Sequence, residues 1–226
     1  MVMNDQFTLE KAKAVIEAGR RNPRVRYSLV ILEQCLDRYN CDEIFLSFNG
    51  GKDCTAVLHL LASVFLSRGI QLLTCLYVTG DPFPEVDAFV EKASEYYNLK
   101  VIRMKKPVIS ALGIYLNENK NLKAGILGVR RGDPGSENLQ AFEPTDTDWP
   151  ELMRIHPILD WSYRDVWEFI LEHKVPYCSL YDRGYTSLGE RTKTFPNPLL
   201  QLPDSPTCYR PAYTLLDDST ERDGRG

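Results

Sequence analysis

The sequence predicts an α/β protein with a doubly wound, mostly parallel sheet, and three observations support this fold class. Short apolar segments alternate with segments of helical periodicity over about the first 130 residues, the pattern of parallel strands joined by helices. The 226 residues contain no internal repeat and no second apolar core. From residue 176 onward the chain is mostly irregular. We therefore expect one domain, with N-terminal helices in residues 1–40, an α/β core in 41–175 and an irregular segment in 176–226.

The spacing of apolar residues predicts each element in chain order. The predicted helices cover residues 9–18, 24–39, 53–67, 83–97, 108–117 and 162–173, and Ser162 is expected to cap the last of them. The predicted strands cover residues 43–48, 72–78, 101–104 and 124–129. The segment 130–148 is polar and rich in Gly, Pro, Asp and Glu. Its length favours a functional loop over a plain connection.

Charge and composition narrow the possible classes of function. The net charge of −4 disfavours a nucleic-acid partner, which would need a strongly basic face. The longest apolar run, 57–66, is too short to span a bilayer, and the first residues lack the apolar core of a signal peptide. Six cysteines without a CxxC pair indicate reduced thiols, and three scattered histidines argue against a histidine metal centre. We expect a cytoplasmic monomer that binds small molecules and neither nucleic acid nor membrane.

A glycine-rich segment lies between the first predicted strand and the following helix: Ser47, Phe48, Asn49, Gly50, Gly51, Lys52 and Asp53. The two glycines let the backbone approach an anion closely, because no Cβ blocks the approach. The N–H groups and the dipole of the next helix favour a phosphate, to which Lys52 and Asn49 add a charge and a donor. This is not a Walker A loop, since residue 46 is Leu and Lys52 is followed by Asp53. The segment predicts a phosphate loop in residues 47–52.

Loops that follow parallel strands meet at one edge of a sheet, where ligands bind. We therefore expect the phosphate loop, the loop after Val78 and the segment GVRRGDP at 128–134 to converge. In the last segment Gly128, Arg130 and Arg131 are candidates for nucleotide binding, and which arginine contacts phosphate is left open. Asp133 is the candidate Mg²⁺ ligand. A charged surface turn would explain the same string if it were considered alone.

Four further blocks of sequence extend the pattern. They are NGGKDCTAVLHLL, GVRRGDP, DWPELMRIHPILDWSYRDVWEFI and VPYCSLYDRGYTSLG, and with SFNGGKD they span the chain from about residue 43 onward. Together they resemble the adenine nucleotide α-hydrolase-like superfamily, its phosphoadenosine-phosphosulfate reductase family, and within that family the short form of the eukaryotic FAD synthases. The resemblance implies a modified Rossmann-like fold and the reaction FMN + ATP → FAD + pyrophosphate, with Mg²⁺ as cofactor.

The same resemblance implies roles for individual residues. Asn49, Gly50, Gly51 and Lys52 would bind the ATP phosphates, while Asp53 and Asp133 would organise the loop and the metal. Asp148, Trp149, Arg154, Ile155 and His156 would form the flavin seat, and Tyr181, Asp182 and Arg183 would border the acceptor. Arg222 and Arg225 match the spacing of two arginines that close over the active site. No general base is expected, because the FMN phosphate is already an anionic nucleophile.

Plainer interpretations of several residues stay open at this point. Trp149 could belong to the core, and Asp182 and Arg183 could simply form an ion pair. The segment after Leu216 has almost no apolar residues, so we expect the arginine tail to be solvated and mobile without ligand.

Three other functions compete with FAD synthesis. A phosphosulfate reductase would need a late nucleophilic cysteine, for which Cys208 is the candidate, although it lacks that family's glutamate-cysteine-glycine context. An ATP pyrophosphatase of the tRNA-thiolation type would normally bring CxxC pairs. A nucleotide-binding regulatory module would be expected to have a degenerate loop, whereas the asparagine, glycines, lysine and aspartates are all present.

Overall fold

The computed structural model describes residues 6–70, 73–105 and 107–226. Its α-helices are α1 (Leu9–Arg21), α2 (Pro23–Arg38), α3 (Lys52–Ser67), α4 (Pro84–Tyr97), α5 (Val108–Glu118) and α6 (Tyr163–Glu172). Its strands are β1 (Ile44–Ser47), β2 (Leu73–Thr79), β3 (Leu99–Lys105), β4 (Ala124–Ile126), β5 (Phe142–Pro144), β6 (Met153–Ile155), β7 (Gln201–Leu202) and β8 (Ser205–Tyr209). All six predicted helices are therefore confirmed. Residue 72, the predicted start of the second strand, lies outside the described residues.

The main sheet has six strands in the order β3-β2-β1-β4-β6-β5. The neighbouring pairs are parallel except for β5, which runs antiparallel to β6 at one edge. The prediction of a mostly parallel sheet is thus confirmed. The sequence did not predict β5 and β6, because three residues each are too few to establish an alternating pattern. Strand β4 is also shorter than predicted and ends at Ile126.

Helices cover both faces of this sheet, as the doubly wound class requires. Alternate residues of a strand point to opposite faces. Phe45 and Leu76 accordingly pack with Leu112 and Tyr115 of α5. Their neighbours Leu46, Cys75 and Tyr77 belong to the larger core, which also contains buried side chains of α1 to α4 and α6. The carboxyl ends of β1, β2 and β4 are left at one edge, where the loops predicted to converge begin.

The C-terminal segment, which the structure describes throughout, has no α-helix after α6 but contains the β7–β8 hairpin, and its last ten residues are only partly packed, with Glu221 and Gly224 buried. The carbonyl of Glu221 accepts a hydrogen bond from Thr186 Oγ1 (2.6 Å), and that of Thr220 accepts one from Asn197 Nδ2 (2.8 Å). The backbone N–H of Phe195 donates to the Gly224 carbonyl (2.8 Å). The expectation of a solvated tail is wrong for Glu221 and Gly224, which polar contacts hold in place, whereas Arg222 and Asp223 are exposed as expected. No helix among the described residues is long and apolar enough to cross a membrane.

His59 of α3 is buried in the core and makes the stability of the fold depend on pH. Its side chain is 1% exposed, and its Nδ1 is 2.7 Å from the hydroxyl of Tyr97. Burial lowers the pKa of His59 to about 3, with smaller contributions from the charges of His173 and Lys11. Between about pH 6.5 and pH 3, His59 is therefore protonated in the unfolded chain, where the histidine pKa is about 6.5, but neutral in the folded chain.

We expect the free energy of unfolding to fall by up to about 1.4 kcal/mol per pH unit below pH 6.5 through this one residue. His59→Gln keeps an acceptor for Tyr97 but cannot titrate, so it should lose this part of the pH dependence. Urea unfolding of both proteins at several pH values between 7 and 4.5 measures the difference. Equal slopes in the two proteins would contradict the assignment.

Candidate active site

Two cavities of about 330 Å³ each lie at the carboxyl edge of the sheet. The first, the loop cavity, is lined by the phosphate loop, by Leu127, Gly128, Val129 and Asp133 after β4, and by the C-terminal segment. The second, the side cavity, is lined mainly by the end of β2 and the loop that follows it, from Tyr77 to Pro82. Asn49, Leu188 and Arg225 line both cavities, so the two adjoin. The predicted convergence of the three loops is confirmed.

The backbone of the phosphate loop depends on its glycines at two points. Gly50 has φ +74°, and a Cβ there would lie 3.0 Å from Val86 of α4. The next residue, Gly51, is the N-cap of α3, and a Cβ there would lie 2.9 Å from Asn49 Oδ1. The first turn of α3 opens into the loop cavity. Asn49 Oδ1 accepts hydrogen bonds from the Gly51 N–H (2.9 Å) and the Cys54 thiol (2.9 Å). The amide oxygen is thereby engaged with the loop itself, which makes the Asn49 NH₂ the group available to a ligand.

Gly128 holds the loop after β4 against the start of α3. A Cβ at this position would lie 2.5 Å from the backbone nitrogen of Cys54 and 2.8 Å from the carbonyl carbon of Asp53. Only glycine permits so close an approach of two backbone segments. The glycine therefore brings the segment with Arg130 and Asp133 directly beside the phosphate loop.

Tyr181 forms part of the wall beneath the phosphate loop. Its hydroxyl accepts a hydrogen bond from the backbone N–H of Lys52 (2.7 Å), and its side chain lines the loop cavity. Burial raises the pKa of Tyr181 well above its ordinary value, so the hydroxyl keeps its proton as a donor. The next two residues do not line the loop cavity. Asp182 accepts a hydrogen bond from the Tyr177 hydroxyl (2.9 Å), and Arg183 forms an ion pair with Glu85 (2.5 Å). The ion pair between Asp182 and Arg183 is therefore not formed.

A buried ion cluster of Lys52, Asp53, Arg130 and Glu221 lies behind the phosphate loop. Lys52 Nζ contacts Asp53 Oδ2 (3.0 Å) and Glu221 Oε1, and both Glu221 oxygens accept from Arg130 Nη2 (2.7 and 2.6 Å). Arg130 Nε is 2.8 Å from Asp53 Oδ1, an ion pair whose N–H does not point at the oxygen. Burial alone would lower the pKa of Arg130, but the carboxylates of Asp53 and Glu221 raise it above its ordinary value. Two cations and two carboxylates thus neutralise each other, with Lys52, Arg130 and Glu221 nearly buried and Asp53 partly exposed at the cavity wall.

The cluster changes the expected position of Lys52. The sequence predicts a lysine that reaches the ATP phosphates, whereas its side chain is 2% exposed and lies over the ring of Tyr163, 5.0 Å from the centroid. Its charge is already satisfied by Asp53 and Glu221. The backbone of Lys52 forms part of the loop, whereas its ammonium is held within the ion cluster.

Arg130 and Arg131 point in opposite directions, which separates the two candidates. Arg130 is 5% exposed and belongs to the ion cluster. Arg131 points outward, where its Nε donates to Asp160 (2.7 Å) and its Nη1 to the carbonyl of Glu137 (2.9 Å). Adjacent side chains of an extended loop face opposite sides, and the sequence alone does not fix which one faces inward. The structure does not bring Arg131 to the phosphate loop.

Asp133 borders the loop cavity with one oxygen engaged and the other nearly free. Oδ2 accepts from the backbone N–H of Arg130 (2.9 Å), whereas Oδ1 is 3.8 Å from the guanidinium groups of Arg130 and Arg222. No group of three or more metal-ligating side chains occurs among the described residues. This donor set fits Mg²⁺, which keeps several waters and is usually held by one or two carboxylates together with substrate phosphates.

The two tail arginines reach the loop cavity from the C-terminal segment. Arg222 lies beside Asp133, and Arg225 donates from Nη1 to Ser187 Oγ (3.2 Å). The Arg225 guanidinium also lies against Gly189, where a Cβ would be 2.2 Å from its nitrogen. Burial, and then the charge of Arg222, lowers the pKa of Arg225. A guanidinium that is partly desolvated in this way gains from an anion placed beside it.

The predicted flavin seat lies around the β5–β6 hairpin, and its residues are not among those lining the two cavities. Trp149 packs against the α5-side core, Arg154 Nη2 donates to the Pro144 carbonyl (2.8 Å), and His156 Nδ1 is 2.9 Å from the Gln140 carbonyl. Ile155 is fully buried, and Asp148 is exposed. The flavin seat therefore stays a prediction.

Known proteins match this chain over most of its length. The phosphoadenosine phosphosulfate reductase domain family matches residues 43–113 and 108–196. A probable FAD synthase of Schizosaccharomyces pombe is 43% identical over 211 residues, which cover 89% of this chain and 78% of that protein. Candida glabrata FMN adenylyltransferase, solved in complex with FMN and the ATP analogue AMPCPP, has a TM-score of 0.84 and 27% identity, covering 93% of this chain and 91% of that one. Yeast FAD synthetase, solved in complex with FAD, has a TM-score of 0.85 and 26% identity and covers 96% of both chains.

A parallel sheet with a glycine loop, a helix N-terminus and clustered carboxylates and guanidiniums at its carboxyl edge defines a nucleotide-binding α/β protein. The extent and identity of the matches give the narrower class. The chain belongs to the FAD synthases within the phosphoadenosine phosphosulfate reductase domain family.

Proposed function

We propose that the protein is an FMN adenylyltransferase that transfers AMP from ATP to the phosphate of FMN, giving FAD and pyrophosphate. The observation that supports this most is the loop cavity, where the start of α3, Asp133, Arg222 and Arg225 surround one space. Groups of these kinds bind phosphate or a metal ion bound to phosphate. The Candida glabrata enzyme, which binds FMN and an ATP analogue, shares the fold over nearly the whole chain.

The chemical step is a substitution at the α-phosphorus of ATP. An oxygen of the FMN phosphate forms a bond to this phosphorus, and the bond from the phosphorus to the α,β-bridging oxygen breaks. Pyrophosphate leaves with that electron pair. The nucleophile is already anionic near neutral pH, so the protein has to position two highly charged substrates and stabilise the charge at the reacting phosphorus.

The residues divide this task between them. The backbone of Gly50, Gly51 and the first turn of α3, with the NH₂ of Asn49, would bind the nucleotide phosphates. The hydroxyl of Tyr181 would donate to a phosphate oxygen from below. Arg222 and Arg225 would act on the charge that develops during transfer, because their guanidiniums face the cavity and have few other partners.

Asp133 would hold Mg²⁺ through its Oδ1, together with phosphate oxygens of the substrate. The bound ion would supply positive charge at the leaving pyrophosphate. The buried ion cluster holds Asp53 away from this task, because both of its oxygens already contact Lys52 and Arg130. Asp53 would therefore organise the loop, the role that the family resemblance implies for it.

We further propose that the enzyme works as a cytoplasmic monomer with reduced thiols. All six cysteines are free, and burial raises the pKa of Cys54 to about 12, so the thiol beside the phosphate loop stays protonated. The competing reductase chemistry would require Cys208, which is exposed on β8. Cys208→Ser should therefore leave the rate of FAD formation unchanged.

The test is to incubate the purified protein with FMN, ATP and Mg²⁺ and to separate the products by chromatography. We expect FAD and pyrophosphate in equal amounts. Release of sulfite from a phosphosulfate substrate, with no FAD formed from FMN, would contradict the proposal.

A further inference from the structure

We infer that Glu221 is a positioning residue for adenylyl transfer: it anchors the tail to the phosphate loop and so fixes Arg222 and Arg225 over the reacting phosphates. The inference rests on the proposed function of this same cavity. Glu221 is the only member of the ion cluster that comes from the C-terminal segment. Its carboxylate is therefore the charged link between the loop and the tail.

The side chain of Glu221 is held more firmly than the tail's composition suggests. The residue is 8% exposed, and its carboxylate contacts Lys52 at the start of α3 and Arg130 after β4. Both cations are themselves buried, at 2% and 5% exposure. Removal of the Glu221 carboxylate would leave two buried cations, Lys52 and Arg130, with Asp53 as their remaining close counter-ion, which is strongly unfavourable.

Hydrogen bonds to the backbone beside Glu221 connect the anchored residue to the rest of the C-terminal segment. The Thr186 hydroxyl donates to the Glu221 carbonyl (2.6 Å), and the amide of Asn197 donates to both the Thr186 hydroxyl (3.1 Å) and the Thr220 carbonyl (2.8 Å). Arg222 follows directly, and the N–H of Arg225 donates to the Arg222 carbonyl (2.8 Å). The two guanidiniums therefore start from a turn that is locked to the base of the phosphate loop.

Glu221 does not itself face the substrate with free charge, since both of its oxygens are engaged by the cluster. It acts through the arginines. The tail arginines would otherwise have to be ordered during each turnover, at a cost in conformational entropy. The anchor removes that cost before substrate arrives, and its loss should lower kcat more than it raises KM.

The test is a double-mutant cycle with Glu221→Gln, made in the wild type and in the Arg222→Ala/Arg225→Ala background. In the wild type we expect kcat to fall roughly tenfold or more, with KM for ATP and FMN changed less than about threefold. In the background without the arginines, Glu221→Gln should lower kcat by less than about threefold. An equal loss in both backgrounds, or no loss in the wild type, would overturn the inference.

A matched control and a second readout keep the test decisive. Asp217→Asn makes the same change of charge four residues upstream, where the carboxylate only accepts from Ser219, and should leave kcat unchanged. Hydrogen exchange of the tail without ligand should become faster in Glu221→Gln and not in Asp217→Asn. Unchanged exchange would overturn the anchor.

Two outcomes unrelated to the anchor can be told apart from its failure. If Glu221→Gln does not fold, Glu221→Asp can replace it, because this variant keeps the charge and only shortens the side chain. Its loss in kcat should be smaller than that expected for Glu221→Gln and should again require Arg222 and Arg225. An equal loss in kcat with and without the two arginines would overturn the anchor. A wild type that makes no FAD would overturn the proposed function, whereas the exchange of its tail would still report the anchor.

Discussion

Asp133→Ala is expected to lower kcat/KM by about a thousandfold or more while the protein stays folded. The carboxylate borders the loop cavity, and its Oδ1 has only distant partners at 3.8 Å. Its removal would take away the proposed Mg²⁺ ligand beside the phosphates. The stability should fall by only about 1 kcal/mol, because one hydrogen bond, to the N–H of Arg130, is lost.

Two companion variants separate the charge of Asp133 from its hydrogen bond. Asp133→Asn keeps an acceptor for the Arg130 N–H and loses the charge, so it should retain stability and still lose activity. Asp160→Asn removes a carboxylate paired with the outward-facing Arg131 and should change neither. Kinetics with saturating FMN and varied Mg²⁺ measure the effect. Normal activity of Asp133→Asn would show that the carboxylate is structural.

Replacement of Arg222 or Arg225 by alanine is the second large expected effect. A hydrogen bond from a guanidinium to a phosphate contributes about 2 kcal/mol, so each variant should lose roughly ten- to a hundredfold in kcat/KM. Stability should change little, because Arg222 has one distant ion pair and Arg225 one hydrogen bond to Ser187. The lysine variants should recover only part of the rate, since lysine keeps the charge without the planar fork.

Truncation after Asp218 should behave differently from these point variants. It removes Glu221 as well and leaves Lys52 and Arg130 with Asp53 as their remaining close counter-ion. A buried charge that loses its partner costs about 3–5 kcal/mol, so the truncated chain should melt well below the double arginine variant. Thermal melting of both proteins, beside their kinetics, measures this difference. Full activity of the truncated chain would show that the tail has no part in the reaction.

The sequence predicts the parts of the site that depend on local rules. Gly50 has the left-handed backbone that favours glycine, and the strand and helix that flank the loop are strongly apolar segments. The convergence of the three loops follows from parallel strands alone. These features need no knowledge of distant contacts, and the structure confirms them.

The ion cluster could not be predicted in the same way, because its members lie far apart in the chain. Glu221 is 169 residues from Lys52 in the chain, and Tyr181, whose hydroxyl accepts a hydrogen bond from the Lys52 N–H, is 129 residues from it. Nothing in the sequence shows that Lys52 and Arg130 are buried, so their need for a counter-ion gave no signal for Glu221. Composition alone suggested a solvated tail.

Transfer of the AMP half of ATP to FMN at the loop cavity can be measured by following radiolabelled phosphorus from ATP into the products. With [α-³²P]ATP and FMN, we expect the label to appear in FAD and Asp133→Ala to abolish its transfer. With [γ-³²P]ATP we expect label in pyrophosphate and none in FAD. Label from the γ-phosphate in a flavin product, or none in FAD from the α-phosphate, would show that the protein does not transfer AMP to FMN.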